Sequence, residues 1–118
     1  NCEMLRLLLR VLQIDTPLCM LSELGVTAHD RCRRLVDITR ACDCGHYLSG
    51  KGGSIQYLRE QPFRVAGVSY SFFSYSEPPY RQQVADGFIS GCSVIDSIFR
   101  CGIEETRERI GAAGQVSP

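Results

Sequence analysis

Apolar and polar residues recur with two different periods along this chain, and the switches between them outline its elements. From Met4 to Ile14 the apolar residues fall at helical spacing in two stripes. One holds Leu5, Leu8, Leu9 and Leu12, the other Met4, Leu7, Val11 and Ile14. A helix that is apolar on two faces has to be covered on both, which predicts a homodimer through the Met4 to Ile14 helix or a preceding segment packed against it. Thr16 to Ser22 alternates loosely, with Leu18 and Met20 on one side, and predicts a strand. Thr27, followed three residues later by Asp30, predicts a capping box. The helix after it carries Cys32, Leu35, Val36 and Thr39 on one face, and Gly45 closes it.

His46 to Ser49 reads as a short strand that runs into the turn Ser49-Gly50-Lys51-Gly52-Gly53. A helix with Ile55, Tyr57 and Leu58 follows; Pro62 breaks or restarts it before Phe63 to Ala66, and Gly67 ends it. Val68 to Phe72 alternates strictly, the period of a half-covered strand, until Phe73 breaks the phase. Glu77-Pro78-Pro79 forces an extended loop. Ser93 with Asp96 repeats the cap, with Asp96 read as a capping acid rather than a base. Val94, Ile95, Ile98 and Phe99 form that helix's apolar face, and Gly102 ends it. A charged segment, Glu104 to Ile110, precedes a Gly/Ala/Ser tail, 111–118, expected to fray. Strand and helix alternate at least three times. The predicted fold class is α/β, a small three-layer unit with a mostly parallel short sheet and crossover helices, in one domain over 1–110.

Composition narrows the function classes. The chain has 118 residues, with 13 basic and 13 acidic side chains and a net charge of zero. No global basic field exists to collect nucleic acid or an anionic membrane. No apolar run approaches the roughly 18 residues of a membrane span, and the first helix lacks a signal-peptide cleavage site. A cytoplasmic protein is expected. Seven cysteines, an odd number, argue against a disulfide scaffold and for reduced thiols that mostly occupy small apolar positions. The tight group Cys42-Asp43-Cys44-Gly45-His46 falls short of zinc-ligand spacing and of a fourth donor. No metal and no cofactor are implied.

The glycine turn is the candidate site. Three glycines in four positions remove side-chain bulk and permit positive φ, so successive amides can form an anion-binding nest at a helix start, with Lys51 adding charge. The same glycines serve a tight turn equally well. Gly45 to Gly52 approaches the P-loop spacing, but Gly52 stands where the magnesium-binding hydroxyl belongs, and Ile55 stands where a dinucleotide fingerprint needs its third glycine. Neither template fits.

Tyr47-Leu48-Ser49-Gly50-Lys51-Gly52-Gly53 with Tyr57-Leu58, then Tyr80-Arg81-Gln82 with Phe88, then Ser93 to Gly102, and also Ser22-Glu23-Leu24, resemble in order the motifs of the WbqC-like protein family. The resemblance spans about Ile14 to Gly102 and is similar to the family's carboxyl-terminal half. Nothing here matches the family's amino-terminal His-Gln-Pro-x-Tyr-x-Pro-Trp motif. Arg81 replaces a proline, Ser97 a leucine, and Gly91-Cys92 a Pro-Leu-like pair. The resemblance implies a part in bacterial surface-polysaccharide synthesis, with transfer of an acyl or aminoacyl group to a sugar. It implies a phosphate-bearing small molecule, a sugar nucleotide or an activated acyl donor, at Gly50, Lys51, Gly52 and Gly53, with Tyr47, Ser49 and Gln82 as polar contacts. It assigns no catalytic residue. The alternatives are a non-catalytic dimerisation or interaction module and, behind it, a thiol or metal protein built on Cys42 and Cys44.

Overall fold

A computed structural model describes residues 1–83 and 87–117. The fold is α/β. In chain order it comprises α1 (Cys2–Val11), a 3-10 turn (Leu21–Glu23), α2 (Arg31–Ala41), β1 (His46–Gly50), α3 (Ser54–Tyr57), α4 (Glu60–Ala66), β2 (Ser69–Tyr75), α5 (Val94–Cys101), α6 (Ile103–Ala113) and β3 (Gly114–Ser117). Two compact units result, one from Asn1–Pro17 and Tyr75–Gly114, the other from Leu18–Ser74 and Gln115–Pro118.

The second unit contains the sheet, ordered β1-β2-β3. β1 and β2 run parallel, joined by the α3–α4 crossover, with His46 level with Ser69 and Gly50 level with Phe73. One face of this pair carries Tyr47, Ser49, Tyr70 and Phe72, and the other carries His46, Leu48, Ser69, Ser71 and Phe73. Tyr47 and Tyr70 pack on a core of Cys32, Val36, Phe63, Ala66 and Val68. Phe63 is the largest fully buried side chain, with its ring 5.0 Å from Tyr70 and 5.9 Å from Tyr47. The expected inner face of α2 is therefore the face that is buried.

Several local expectations change. Residues 16–20 form no strand, and the chain enters the 3-10 turn from an extended Met20. The cap of α2 is Asp30 itself, whose carboxylate accepts from the Arg33 amide at 2.9 Å, so the helix starts three residues after the Thr27 cap would place it. Asp43, at φ 54°, makes the left-handed reversal after α2 that was expected of Gly45. An aspartate tolerates this conformation better than most residues with a side chain. Of the two roles expected of Pro62, it takes the restart and not the break. It sits in the first turn of α4, where its missing N–H is not needed, and the break falls at extended Leu58 and Arg59. Gly67 ends α4 at φ 65°, as read from the sequence. β2 continues to Tyr75; pairing to β1 holds it as far as Phe73, where the alternation is lost. The tail expected to fray beyond 110 continues α6 to Ala113 and adds β3; Pro118 lies outside the described residues.

In the first unit, α1 has no side-chain cap and no buried residue. Met4, Leu5 and Leu7 stay exposed, while Leu12, just beyond the helix, is buried. α5 begins at a true cap, with the Ser93 hydroxyl accepting from the Ile95 amide. It packs on α6, where Ser97 and Thr106 share a buried hydrogen bond of 3.0 Å. No described helix is long and apolar enough to cross a membrane.

Candidate functional site

The glycine turn leaves the carboxyl end of β1, where ligands of parallel sheets gather. Its backbone is tied down on two sides. The Lys51 amide donates to the Phe73 carbonyl at 3.1 Å, and the Ser54 hydroxyl donates back to the Gly50 carbonyl. None of Gly50, Gly52 and Gly53 has a positive φ, and Gly53 is helical at φ −60°, ψ −16°. The positive φ angles that the glycines permit are therefore not used in this turn. Nor do neighbours exclude side chains, since a Cβ at any of the three would meet nothing within 4 Å. Lys51 is exposed, and it belongs to none of the ion pairs among the described residues. The turn thus presents a bare backbone strip beside an exposed ammonium.

The other expected contacts lie elsewhere. Tyr47 is half-buried against Phe63 on the core face of the sheet, and Ser49 is buried on that same face. Gln82 belongs to the other unit, where its side-chain amide both donates to the Ile89 carbonyl at 3.0 Å and accepts from the Ile89 amide at 2.8 Å. This pair of hydrogen bonds ties the Gln82 side chain to the Ile89 backbone.

That first unit has a cavity of about 530 Å³ with Tyr75, Glu77, Tyr80, Cys92 and Arg109 among its walls. Glu77 accepts from the Gly91 amide at 2.6 Å, which Gly91 presents from φ 79°. The Arg109 guanidinium lies over the Tyr80 ring and donates to Glu105 and to the carbonyls of Pro78 and Pro79. Each of its three nitrogens donates to the protein. Asp96 does not cap α5 with its side chain as expected; it accepts from the Tyr80 hydroxyl and from Arg100 Nε, each at 2.8 Å. The bond to Arg100, then that to Tyr80, holds its carboxyl below the usual aspartate range. Burial first, and then the Asp96 bond, pushes the Tyr80 phenol up.

The model of the WbqC-like protein family matches residues 1–108. The chain belongs to the WbqC-like protein family. No curated protein and no solved structure matches it. The match begins at the first residue, so it includes α1, which the motif resemblance had left out.

The WbqC-like chain also holds a cluster that the sequence reading passed over. His46 reaches Ser69 Oγ with Nδ1 and Ser71 Oγ with Nε2, both at 2.7 Å. Strand alternation already put Ser69 and Ser71 on one side, and His46 opposite Ser49. The register that brings the two strands level was the missing signal. Cys42 has Cys19 and Cys44 near it, and burial, then Cys19, pushes its thiol up. Among the described residues, no group of three or more such donors is placed to hold a metal ion.

Proposed function

We propose that this WbqC-like chain takes part in transferring an acyl or aminoacyl group to a nucleotide-activated sugar in bacterial surface-polysaccharide synthesis. In this reading the phosphate-bearing partner, a sugar nucleotide or an activated acyl donor, lies along the turn at Gly50, Lys51, Gly52 and Gly53. The supporting observation is the bare strip itself. Its glycines are needed neither for positive φ nor to avoid a neighbour, so close approach of an outside group is the physical use left for them. The exposed Lys51 ammonium supplies the charge for a phosphate. Tyr47 and Ser49 support the turn from the core face, and Gln82 shapes its own loop. A cytoplasmic setting suits such water-soluble activated substrates.

Thermal-shift measurements with UDP, UDP-N-acetylglucosamine and acetyl-coenzyme A test this reading. At least one raises the melting temperature of the wild-type chain, and Lys51→Ala removes most of that rise. No shift with any of the three contradicts the reading, as does a shift that Lys51→Ala leaves intact.

One observation favours a second reading, a dimerisation module that works without catalysis. Met4 and Leu7 of one α1 stripe and Leu5 of the other are 52%, 49% and 46% exposed, apolar surface that a second copy of α1 would cover. Only this second reading requires self-association.

A further inference from the structure

His46, Ser69 and Ser71 form a hydrogen-bonded row across β1 and β2, and counting protons fixes its direction. Among the described residues Ser71 Oγ has one partner, His46 Nε2. Ser69 Oγ has two, His46 Nδ1 and the Gly45 carbonyl at 3.3 Å. With a neutral imidazole, one assignment uses all three protons. Ser69 donates to Gly45, Nδ1–H donates to Ser69, and Ser71 donates to Nε2. In the opposite tautomer the Gly45 carbonyl keeps the Ser69 amide, but the buried Ser71 hydroxyl proton has no acceptor among the described residues. The row therefore ends in a serine hydroxyl aimed at a ring nitrogen whose other side is held by a second hydroxyl. That is the arrangement of an activated nucleophile, its base and the group that orients the base.

The surroundings on the same sheet face suit an acyl donor. Leu48, level with Ser71, is 51% exposed and offers apolar contact beside the hydroxyl. Two residues on, about 7 Å along the strands, Gly50 pairs with Phe73 and the glycine turn begins.

We propose that Ser71 is a nucleophile that accepts an acyl group from a phosphate-bearing thioester, with His46 as its general base and Ser69 as the residue that positions His46. This rests on the acyl-transfer reading for its donor class. In the first step the bond from Ser71 Oγ to the acyl carbon forms and the carbon–sulfur bond breaks. The hydroxyl proton passes to Nε2 and from there to the departing thiolate. In the second step an amine or hydroxyl of the acceptor attacks the Ser71 ester, and its proton returns through Nε2 to Ser71 Oγ. The glycine turn holds the donor's phosphate end while the carbonyl lies at Ser71.

The test is treatment of the full chain with an alkyl fluorophosphonate, followed by intact-mass measurement and peptide mapping. One adduct is expected, on Ser71. His46→Gln slows its formation by about 100-fold or more, as loss of a general base does, and Ser69→Ala causes a partial loss. p-Nitrophenyl butyrate should give a burst of one nitrophenolate per chain, absent in Ser71→Ala. Absence of the wild-type adduct overturns the proposal without reference to any variant. So does an adduct elsewhere, or one whose rate His46→Gln leaves unchanged, as a purely structural histidine would. If labelling fails while the nucleotide and coenzyme shifts still depend on Lys51, the nucleophile falls and the anion-binding turn stands.

Discussion

The Lys51 amide donates to the Phe73 carbonyl at 3.1 Å, so the glycine turn is fastened to β2 by its backbone while the Lys51 side chain stays free for solvent. Among the described residues that side chain makes no hydrogen bond or ion pair. Lys51→Ala should therefore unfold in urea within about 0.5 kcal/mol of the wild type. A larger loss of stability would mean that the lysine serves the fold.

Asp96 links Tyr80 to Arg100, and its carboxyl is held below the ordinary range by the Arg100 bond and then by Tyr80. A carboxyl depressed in the folded state stabilises fully above its unfolded value, near 3.9, and loses that contribution as pH falls through the folded value. The melting temperature of the wild type should exceed that of Asp96→Asn at pH 7 and at pH 5. Below about pH 4 the gap should close. A gap that stays constant from pH 7 to pH 3 contradicts this account of the Tyr80–Asp96–Arg100 row.

Phe63 is 1% exposed and touches Tyr47 and Tyr70 across the sheet. Phe63→Ala should cost about 3–5 kcal/mol in urea unfolding, because Tyr47 loses its ring contact and Tyr70 keeps only Phe72. A cost below about 1 kcal/mol would mean that the core relaxes around the missing ring.

On α1, Leu7→Glu places a charge in the exposed apolar surface. Light scattering after size exclusion should report a dimer for the wild type at micromolar concentration and a monomer for Leu7→Glu. A monomeric wild type removes the dimerisation reading.

Much of this architecture is legible in the residues themselves. The Cys32-Leu35-Val36-Thr39 stripe, the alternation after Val68, the Ser93 cap and the Gly67 stop each have a local cause, and each appears in the structure. What eluded the sequence depends on partners distant along the chain. The loose alternation of 16–22 suggests a strand, but strand formation needs a neighbour to pair with, and Leu18 stays exposed. Asp30 and Thr27 compete for the same capping role, and the Arg59 side chain, which pairs with Asp30, adds to the reasons for the later start. At the candidate site, the turn is visible as a run of glycines, yet its φ angles are not. The His46–Ser71 relation needed the register between β1 and β2, which no local pattern carries.

In the proposed function the glycines of the turn serve an approaching ligand and not the backbone. Gly53 is already helical, and a Cβ there meets nothing within 4 Å. Gly53→Ala should therefore leave the chain as stable as before or more stable, by about 0.4–1 kcal/mol through the unfolded state. Calorimetric titration of that variant, with whichever of UDP, UDP-N-acetylglucosamine or acetyl-coenzyme A binds the wild type, is the most direct measurement. The expected result is an intact or raised melting temperature together with an affinity at least about tenfold weaker, near 1.4 kcal/mol. An affinity equal to that of the wild type would contradict it.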